Sequence, residues 1–255
     1  MSLLSTDRLS VRIGDIKVCR DLDIEVDAGD IIAIVGANGT GKTTLLHTLA
    51  GLREPSHGAV HLQDQPIQNL SGRQRALVLG ILFQNIADPL YSNVLETVLT
   101  GRHPHLPPLS NETDEDRLIA REALRATGIV EKAHLPVSVL SGGEKTRVAL
   151  AALLTQQPRI CLLDEPNAHL DLHYQIRLLD LMVDYLHEHN GCAVWVLHDV
   201  NLAIRYCHKA LLLFGNGETC FGDADTVLTT EQLTRLYGQR MLEIRDGKRR
   251  CFIPA

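Results

Sequence analysis

No apolar run in this 255-residue chain approaches the roughly 18 residues that suggest a membrane span. The start, MSLLSTDRLSV, lacks the basic leader and long apolar core of a secretory signal, so any work at a membrane is expected from outside the bilayer. The six cysteines, at 19, 161, 192, 207, 220 and 251, form no C-x-x-C pair. That scatter fits a reducing cytoplasm rather than a disulfide framework, and the apolar runs around Cys161 and Cys192 predict buried thiols. A basic excess is missing too. The net charge of −6 argues against a general nucleic-acid-binding surface. Aromatic residues make up 4% of the chain, and none precedes Phe83. There is no internal repeat and no low-complexity stretch. The remaining composition, 45% apolar and 22% charged, is that of a globular protein with room for a substantial core.

What is present centres on residues 31–46, IIAIVGANGTGKTTLL. Ile31 to Val35 reads as a buried strand. Gly36, Ala37, Asn38, Gly39, Thr40, Gly41, Lys42 and Thr43 then match G-x-x-x-x-G-K-[ST], and a helix can continue from Thr44 with Leu45, Leu46 and Leu49 facing a core. A loop that wraps a polyphosphate must aim consecutive backbone N–H groups inward, in conformations that a side chain obstructs. Gly36, Gly39 and Gly41 suit that need. The following helix adds its unpaired first-turn N–H groups and the positive end of its dipole. Lys42 brings a mobile positive charge for the β- and γ-phosphates, and Thr43 a hydroxyl for Mg²⁺.

Before this unit, Leu9, Val11 and Ile13 and then Leu22, Ile24 and Val26 predict a strand pair broken at Gly14-Asp15. After it, Gly58–Leu62 and Val78–Phe83 read as short strands, the first followed by Gln65-Pro66 and a polar turn. Residues 85–155 are mostly helical in pattern. Helices are expected over Asn93–Leu99, over Thr113–Gly128 with Leu118, Ile119, Ala123, Leu124 and Ala126 near one side, and over Glu144–Gln156. Arg159–Leu163 and Cys192–Leu197 are buried strands, with helices over about 173–188 and 200–208, and a hairpin joins Ala210–Phe214 to Glu218–Phe221. Strands alternating with helices imply a mainly parallel sheet with ligands at the carboxyl ends of its strands.

Three features fall at such ends. One is the glycine loop. Another is Asp164-Glu165, in which Asp164 is the metal-side carboxylate and Glu165 the candidate general base for an attacking water. The third is His198, which could bond a γ-phosphate, although a structural histidine at a strand end reads equally well. Gln84 follows the strand at 78–83 and could reach Mg²⁺ or the attacking water, or lie on a surface loop. Ser141-Gly142-Gly143-Glu144 could form a small second anion site, but a helix start with a cap and two glycines looks the same. The pairs His103/His105 and His187/His189 do not read as metal sites: i and i+2 face different sides of a helix, and Pro104 and Pro107 make the first a loop. Lys248-Arg249-Arg250 reads as a solvated turn.

Set in order, GANGTGKT at 36, Gln84, LSGGE at 140, ICLLDE at 160, HLD at 169 and His198 resemble an ATP-binding-cassette ATPase over nearly the whole chain. The resemblance implies an α/β P-loop NTPase (RecA-like) core, 1–84 and 156–255, with an antiparallel β subdomain and an inserted α-helical subdomain, 85–155, all in one nucleotide-binding domain. It implies ATP and Mg²⁺ as cofactors and a head-to-tail homodimer with two ATP molecules between the subunits. Gly36–Thr44, Gln84, Asp164, Glu165 and His198 of one subunit would hold nucleotide and metal, with Thr43, Gln84 and Asp164 at the Mg²⁺. Ser141, Gly142, Gly143 and Glu144 of the other would complete the site, and Asp171 would couple the two sites. VLTGRHPH at 98, LHDVNLA at 197 and LYG at 236 are similar to the importer branch for iron–siderophore, haem and cobalamin complexes. Such ATPases sit peripherally on the cytoplasmic face of the membrane with two permease subunits, a substrate-binding protein acting indirectly, and no nucleic acid. Residues near 85–105 would receive the permease's coupling helix.

Two positions depart from the family's pattern. Ile13, beside Arg12, stands where an aromatic usually stacks on adenine; losing that stacking costs on the order of 1 kcal/mol and leaves base selectivity open. Glu144 stands where many relatives carry Gln. An efflux cassette, or a non-transport clamp on DNA or ribosomes, remain as other readings; the clamp is disfavoured by the single cassette, the acidic balance and the lack of a long heptad run.

Overall fold

The computed structural model describes residues 2–84, 92–166, 170–247 and 249–255. The chain begins with β1 (Leu4–Ile13), β2 (Ile16–Leu22), β3 (Glu25–Val26) and β4 (Ile31–Gly36), then α1 (Lys42–Leu49), β5 (His57–Leu62), β6 (Gln65–Pro66), α2 (Gly72–Ala76) and β7 (Leu79–Leu82). Helices α3 (Val94–Leu99), α4 (Asp114–Ala126) and α5 (Gly142–Gln156) follow. The second half alternates β8 (Ile160–Asp164), α6 (Leu172–Glu188), β9 (Cys192–Val196), α7 (Val200–Tyr206), β10 (Lys209–Leu213) and β11 (Thr219–Asp223). It closes with α8 (Ala224–Val227), α9 (Thr230–Tyr237), β12 (Met241–Asp246) and β13 (Arg249–Pro254).

The main sheet runs β11-β10-β4-β9-β8-β7, with β10, β4, β9, β8 and β7 mutually parallel and β11 antiparallel at one edge. Its central strands are continuously apolar because both faces are covered. Side chains alternate across a strand, so β4 serves two cores. Ile32 and Ile34 join Leu45, Leu46 and Leu49 of α1, all with no exposed surface, together with the inner face of the antiparallel sheet β2-β1-β5-β6. Ile31, Ala33 and Val35 face the other core, shared with α3 to α6. Helix α1 is thereby clamped between two sheets, which fixes the loop that precedes it.

The strand pair around Gly14, the hairpin after 209 and the parallel sheet agree with the sequence reading, and Cys161 and Cys192 are fully buried. Other elements differ from it. In α4 the buried positions are Asp116, Ala120, Ala123 and Leu124, a stripe at i, i+4, i+7 and i+8. Leu118, two residues off that stripe, is 53% exposed, and Ala126 is exposed as well. Helix α5 starts at Gly142 rather than at Glu144, because Ser141 caps it. Gln65-Pro66 pairs with β5 as a short strand. The sequence reading missed α2, α8, α9 and the β12–β13 hairpin. In that hairpin Arg249 and Arg250 are strand residues; Arg250 bonds Glu243, Asp225 and the Leu228 carbonyl and is no solvated turn. Lys248, Asn85 to Tyr91 and Asn167 to His169 lie outside the described residues.

The TGRHPH stretch has a structural task. Arg102, 9% exposed, donates from Nε to Asp116 Oδ1 at 2.7 Å and from Nη1 to the Thr155 carbonyl at 3.2 Å and Gln157 Oε1 at 2.9 Å. One guanidinium thus joins the segment after α3 to the start of α4 and the end of α5. His105 Nε2 shares a hydrogen bond with the Gln156 carbonyl at 2.8 Å.

Candidate active site

β4 ends at Gly36, and the chain turns through residues 37–41 into α1. Conformation alone demands glycine at two of the three loop positions. Gly39 and Gly41 have φ of 81° and 93°, where a side chain strains the backbone. A Cβ on Gly41 would also stand 2.4 Å from Val18 Cγ2, so β2 forms part of the loop's support, a role that no sequence pattern marked. Gly36 is required by space instead: its Cβ would meet Thr40 Oγ1 at 2.7 Å and the Leu213 carbonyl at 2.9 Å. Thr40 braces the turn by donating to the Ala37 carbonyl at 2.9 Å, while Asn38 lies exposed at the tip. Lys42, 5% exposed, points its ammonium into the hollow and donates to the carbonyls of Gly36 (2.9 Å) and Ala37 (3.1 Å). Burial pulls its pKa below the usual lysine value, with the charges of Glu165 and Asp164 opposing.

Next along the sheet, β9 and β8 bring their carboxyl ends beside the loop, as the parallel order requires. Thr43, on the first turn of α1, donates its hydroxyl to Asp164 Oδ1 at 3.1 Å. Asp164 is 1% exposed; burial raises its pKa, and the Thr43 hydroxyl acts against that rise. Thr44 follows in the same turn, and its carbonyl accepts from the Thr48 hydroxyl at 2.9 Å.

The backbone at Glu165 leaves the sheet in a left-handed conformation, φ 50°, with its N–H donating to the Val196 carbonyl at 3.2 Å. For a residue with a side chain this is strain of order 1 kcal/mol or more, which the surrounding structure has to hold. Its effect is to aim the carboxylate. Gln84 Nε2 donates to Oε2 at 2.7 Å, and His198 Nε2 lies 2.5 Å from Oε1. Gln84, expected at the metal or the attacking water, bonds the proposed base itself. Gly36–Thr44, Gln84, Asp164, Glu165 and His198 therefore converge on the ends of three adjacent strands, β4, β9 and β8, and the turn after β7.

The family model described as "ABC transporter" matches residues 19–168, which include the glycine loop, Gln84, Ser141 and Asp164-Glu165. The chain belongs to the ABC transporter family. It is an ATP-binding subunit that hydrolyses ATP. It is 37% identical over 243 residues to the ferric enterobactin transport ATP-binding protein of Escherichia coli (strain K12), covering 95% of this chain and 90% of the relative. It is 38% identical over 256 residues to a hemin import ATP-binding protein of Gloeobacter violaceus (strain ATCC 29082 / PCC 7421), covering 98% and 92%. Among solved structures, a chain of a transporter described as of metal-chelate type, in an inward-facing conformation, superposes with a TM-score of 0.87 at 27% identity, over 100% of this chain and 98% of that one.

The ABC ATPase carries its second group of candidate residues apart from the loop. Ser141 caps α5: Glu144 N–H donates to Ser141 Oγ at 3.4 Å, and Ser141 N–H to Glu144 Oε2 at 2.9 Å, a capping box. Glu144 also accepts from Lys132. That bond first, then the Ser141 N–H, lowers the Glu144 carboxyl to about 2. Asp171 caps α6 by accepting from the Tyr174 N–H at 3.0 Å. The guanidinium of Arg147 lies 4.6 Å from the centre of the Tyr174 ring, tying the two helix starts together. Ser141, Gly142, Gly143, Glu144 and Asp171 consequently line one open depression, and none of Gly36–Thr44 reaches it. Ile13, the last residue of β1, is half-buried against the core beneath α1, with Arg12 exposed beside it.

Proposed function

We propose that this ABC ATPase powers import of an iron chelate, haem or cobalamin by a membrane complex, from the cytoplasmic face. Two copies would pair head to tail, each bringing its glycine loop against the partner's Ser141–Glu144 and Asp171. Two permease subunits would take up the motion, and a substrate-binding protein would deliver the cargo. The observation that carries the hydrolytic part is the two-point fixing of Glu165 between Gln84 and His198, beside the Thr43–Asp164 pair.

The Thr43 hydroxyl, the Asp164 carboxylate and the Gln84 amide are hard oxygen donors of the kind Mg²⁺ takes. Bound there with ATP, the ion would neutralise charge on the β- and γ-phosphates. Lys42 would meet the same oxygens, its ammonium leaving the loop carbonyls for them. Glu165 would hold the attacking water and take its proton, and His198 would sense the γ-phosphate. The core of 1–84 and 156–255 and the helices within 85–155 would act as two parts of one nucleotide-binding domain. Helix α5 would carry Ser141 between them.

Import rather than export is supported by the relatives, named for ferric enterobactin transport and hemin import. Among the described residues no helix is long and apolar enough to cross a membrane, in keeping with a separate permease. The test is uptake of labelled ferric siderophore, hemin and cobalamin by vesicles holding this chain with its co-purifying membrane subunits. ATP-dependent inward accumulation of one of them, abolished by Lys42→Ala, is expected. Outward movement, or purification with ribosomes or DNA in place of membrane subunits, overturns the proposal.

A further inference from the structure

The last ladder bond of β9 is the Leu197 N–H to the Ile34 carbonyl at 3.2 Å. His198 and Asp199 then leave the sheet, and the next fixed point is the start of α7. Asp199 caps that helix by accepting from the Asn201 N–H at 2.7 Å. The Asn201 side chain makes two bonds to one distant residue: Nδ2 donates to the Phe252 carbonyl at 3.1 Å, and Oδ1 accepts from the Phe252 N–H at 2.7 Å. An amide matched to the N–H and C=O of a single strand residue is what a neighbouring strand would offer, so Asn201 stands in for one at the free edge of β13.

The hairpin has other anchors besides this pair of hydrogen bonds. Phe252 is 3% exposed in the main core, and Arg250 anchors β13 to Asp225 and to the Leu228 carbonyl. The turn that carries His198 is held by buried Leu197 and Val200 at its ends, but the ring itself is half exposed and meets Glu165 from a short excursion off the sheet.

We propose that Asn201 is a positioning residue for hydrolysis: it docks the turn bearing His198 onto the edge of the C-terminal hairpin, so that β13 serves as an outer brace of the site. The proposal rests on the reading of His198 given above. A displacement of the order of 1 Å in such a group is enough to lower the rate by about 100-fold.

The test is a double-mutant cycle on steady-state ATP hydrolysis by the full chain. Asn201→Leu keeps the shape and removes both bonds. It is expected to lower kcat about 10- to 100-fold with KM for ATP within about twofold. Asn201→Asp keeps the acceptor for the Phe252 N–H but sets a carboxylate oxygen against the Phe252 carbonyl, so its kcat should fall too, and it replaces the leucine variant if that chain does not fold. In a His198→Ala background neither change should lower kcat further. An unchanged kcat in both Asn201 variants overturns the proposal. So does an equal fold-loss with and without His198, which would mean that Asn201 acts through the fold alone. If His198→Ala itself leaves kcat intact, the reading of His198 fails first, a result distinct from failure of the brace.

Discussion

The Glu165→Gln variant is expected to bind ATP as tightly as the parent chain, within about threefold, and to lose turnover by about 100-fold or more. The substitution leaves the shape of the side chain and removes the charge that would take a proton from water. Both carboxylate oxygens are engaged, one by Gln84 Nε2 and one by His198 Nε2. The glutamine can accept only through its oxygen, so one of these contacts is kept only if Gln84 turns its amide or the His198 ring moves its proton to Nδ1. Neither Lys42 nor the loop glycines is touched, which is why nucleotide affinity should persist. Phosphate release and titration with a fluorescent ATP analogue separate the two effects. Parent-like turnover would remove Glu165 from the role of general base.

Arg102→Ala, a change away from the nucleotide site, should cost about 3 kcal/mol of stability. The Arg102 and Asp116 side chains are 11% and 8% exposed, so deletion leaves Asp116 buried without its ion-pair partner and orphans two acceptors on α5 and its cap. Asp116 keeps its bonds from Thr113, which places the loss at the lower end for a broken buried pair. Thermal unfolding should fall by about 6–12 °C at neutral pH. The deficit should also narrow in acid. Burial raises the Asp116 carboxyl, but the Thr113 N–H and the Arg102 guanidinium outweigh it and hold it at about 2 against an ordinary 3.8. Its contribution is therefore full above about pH 4 and fades as pH falls toward 2. A melting temperature within 2 °C of the parent's at pH 7 would contradict the predicted loss, about 1 kcal/mol corresponding to 2–4 °C.

The legible parts of this protein are those where one local rule fixes the outcome. A continuous apolar strand, a glycine loop and a helix with leucines at the right spacing specify the β4–α1 unit, which buries Leu45, Leu46 and Leu49 and leaves Lys42 at the loop. Carboxylates at the ends of β8 and histidine after β9 follow from the parallel order. What the pattern does not carry is contact between residues far apart in sequence. Val18 at Gly41, Arg102 beneath α4 and α5, and Asn201 on Phe252 depend on how finished elements meet. The left-handed turn at Glu165 was hidden for a different reason: glutamate gives no local hint of a positive φ, and only the surrounding sheet enforces it. The C-terminal hairpin is hard to read because its alternation is inverted: Leu242 and Ile244 face outward while Glu243 turns in to Arg250, and its strands are stabilised by Phe252 and Arg250 reaching back to the body of the protein.

A chain whose glycine loop lies apart from its own Ser141–Asp171 depression should change mass when nucleotide binds. Sedimentation equilibrium of the Glu165→Gln variant with and without ATP and Mg²⁺ measures this directly. One copy per particle without nucleotide, and two copies with it, is the result expected of a site completed across two subunits; introducing Ser141→Arg should abolish the pairing. A particle that stays at the mass of one copy in saturating ATP, while the parent chain at the same concentration hydrolyses ATP as a monomer, would contradict it.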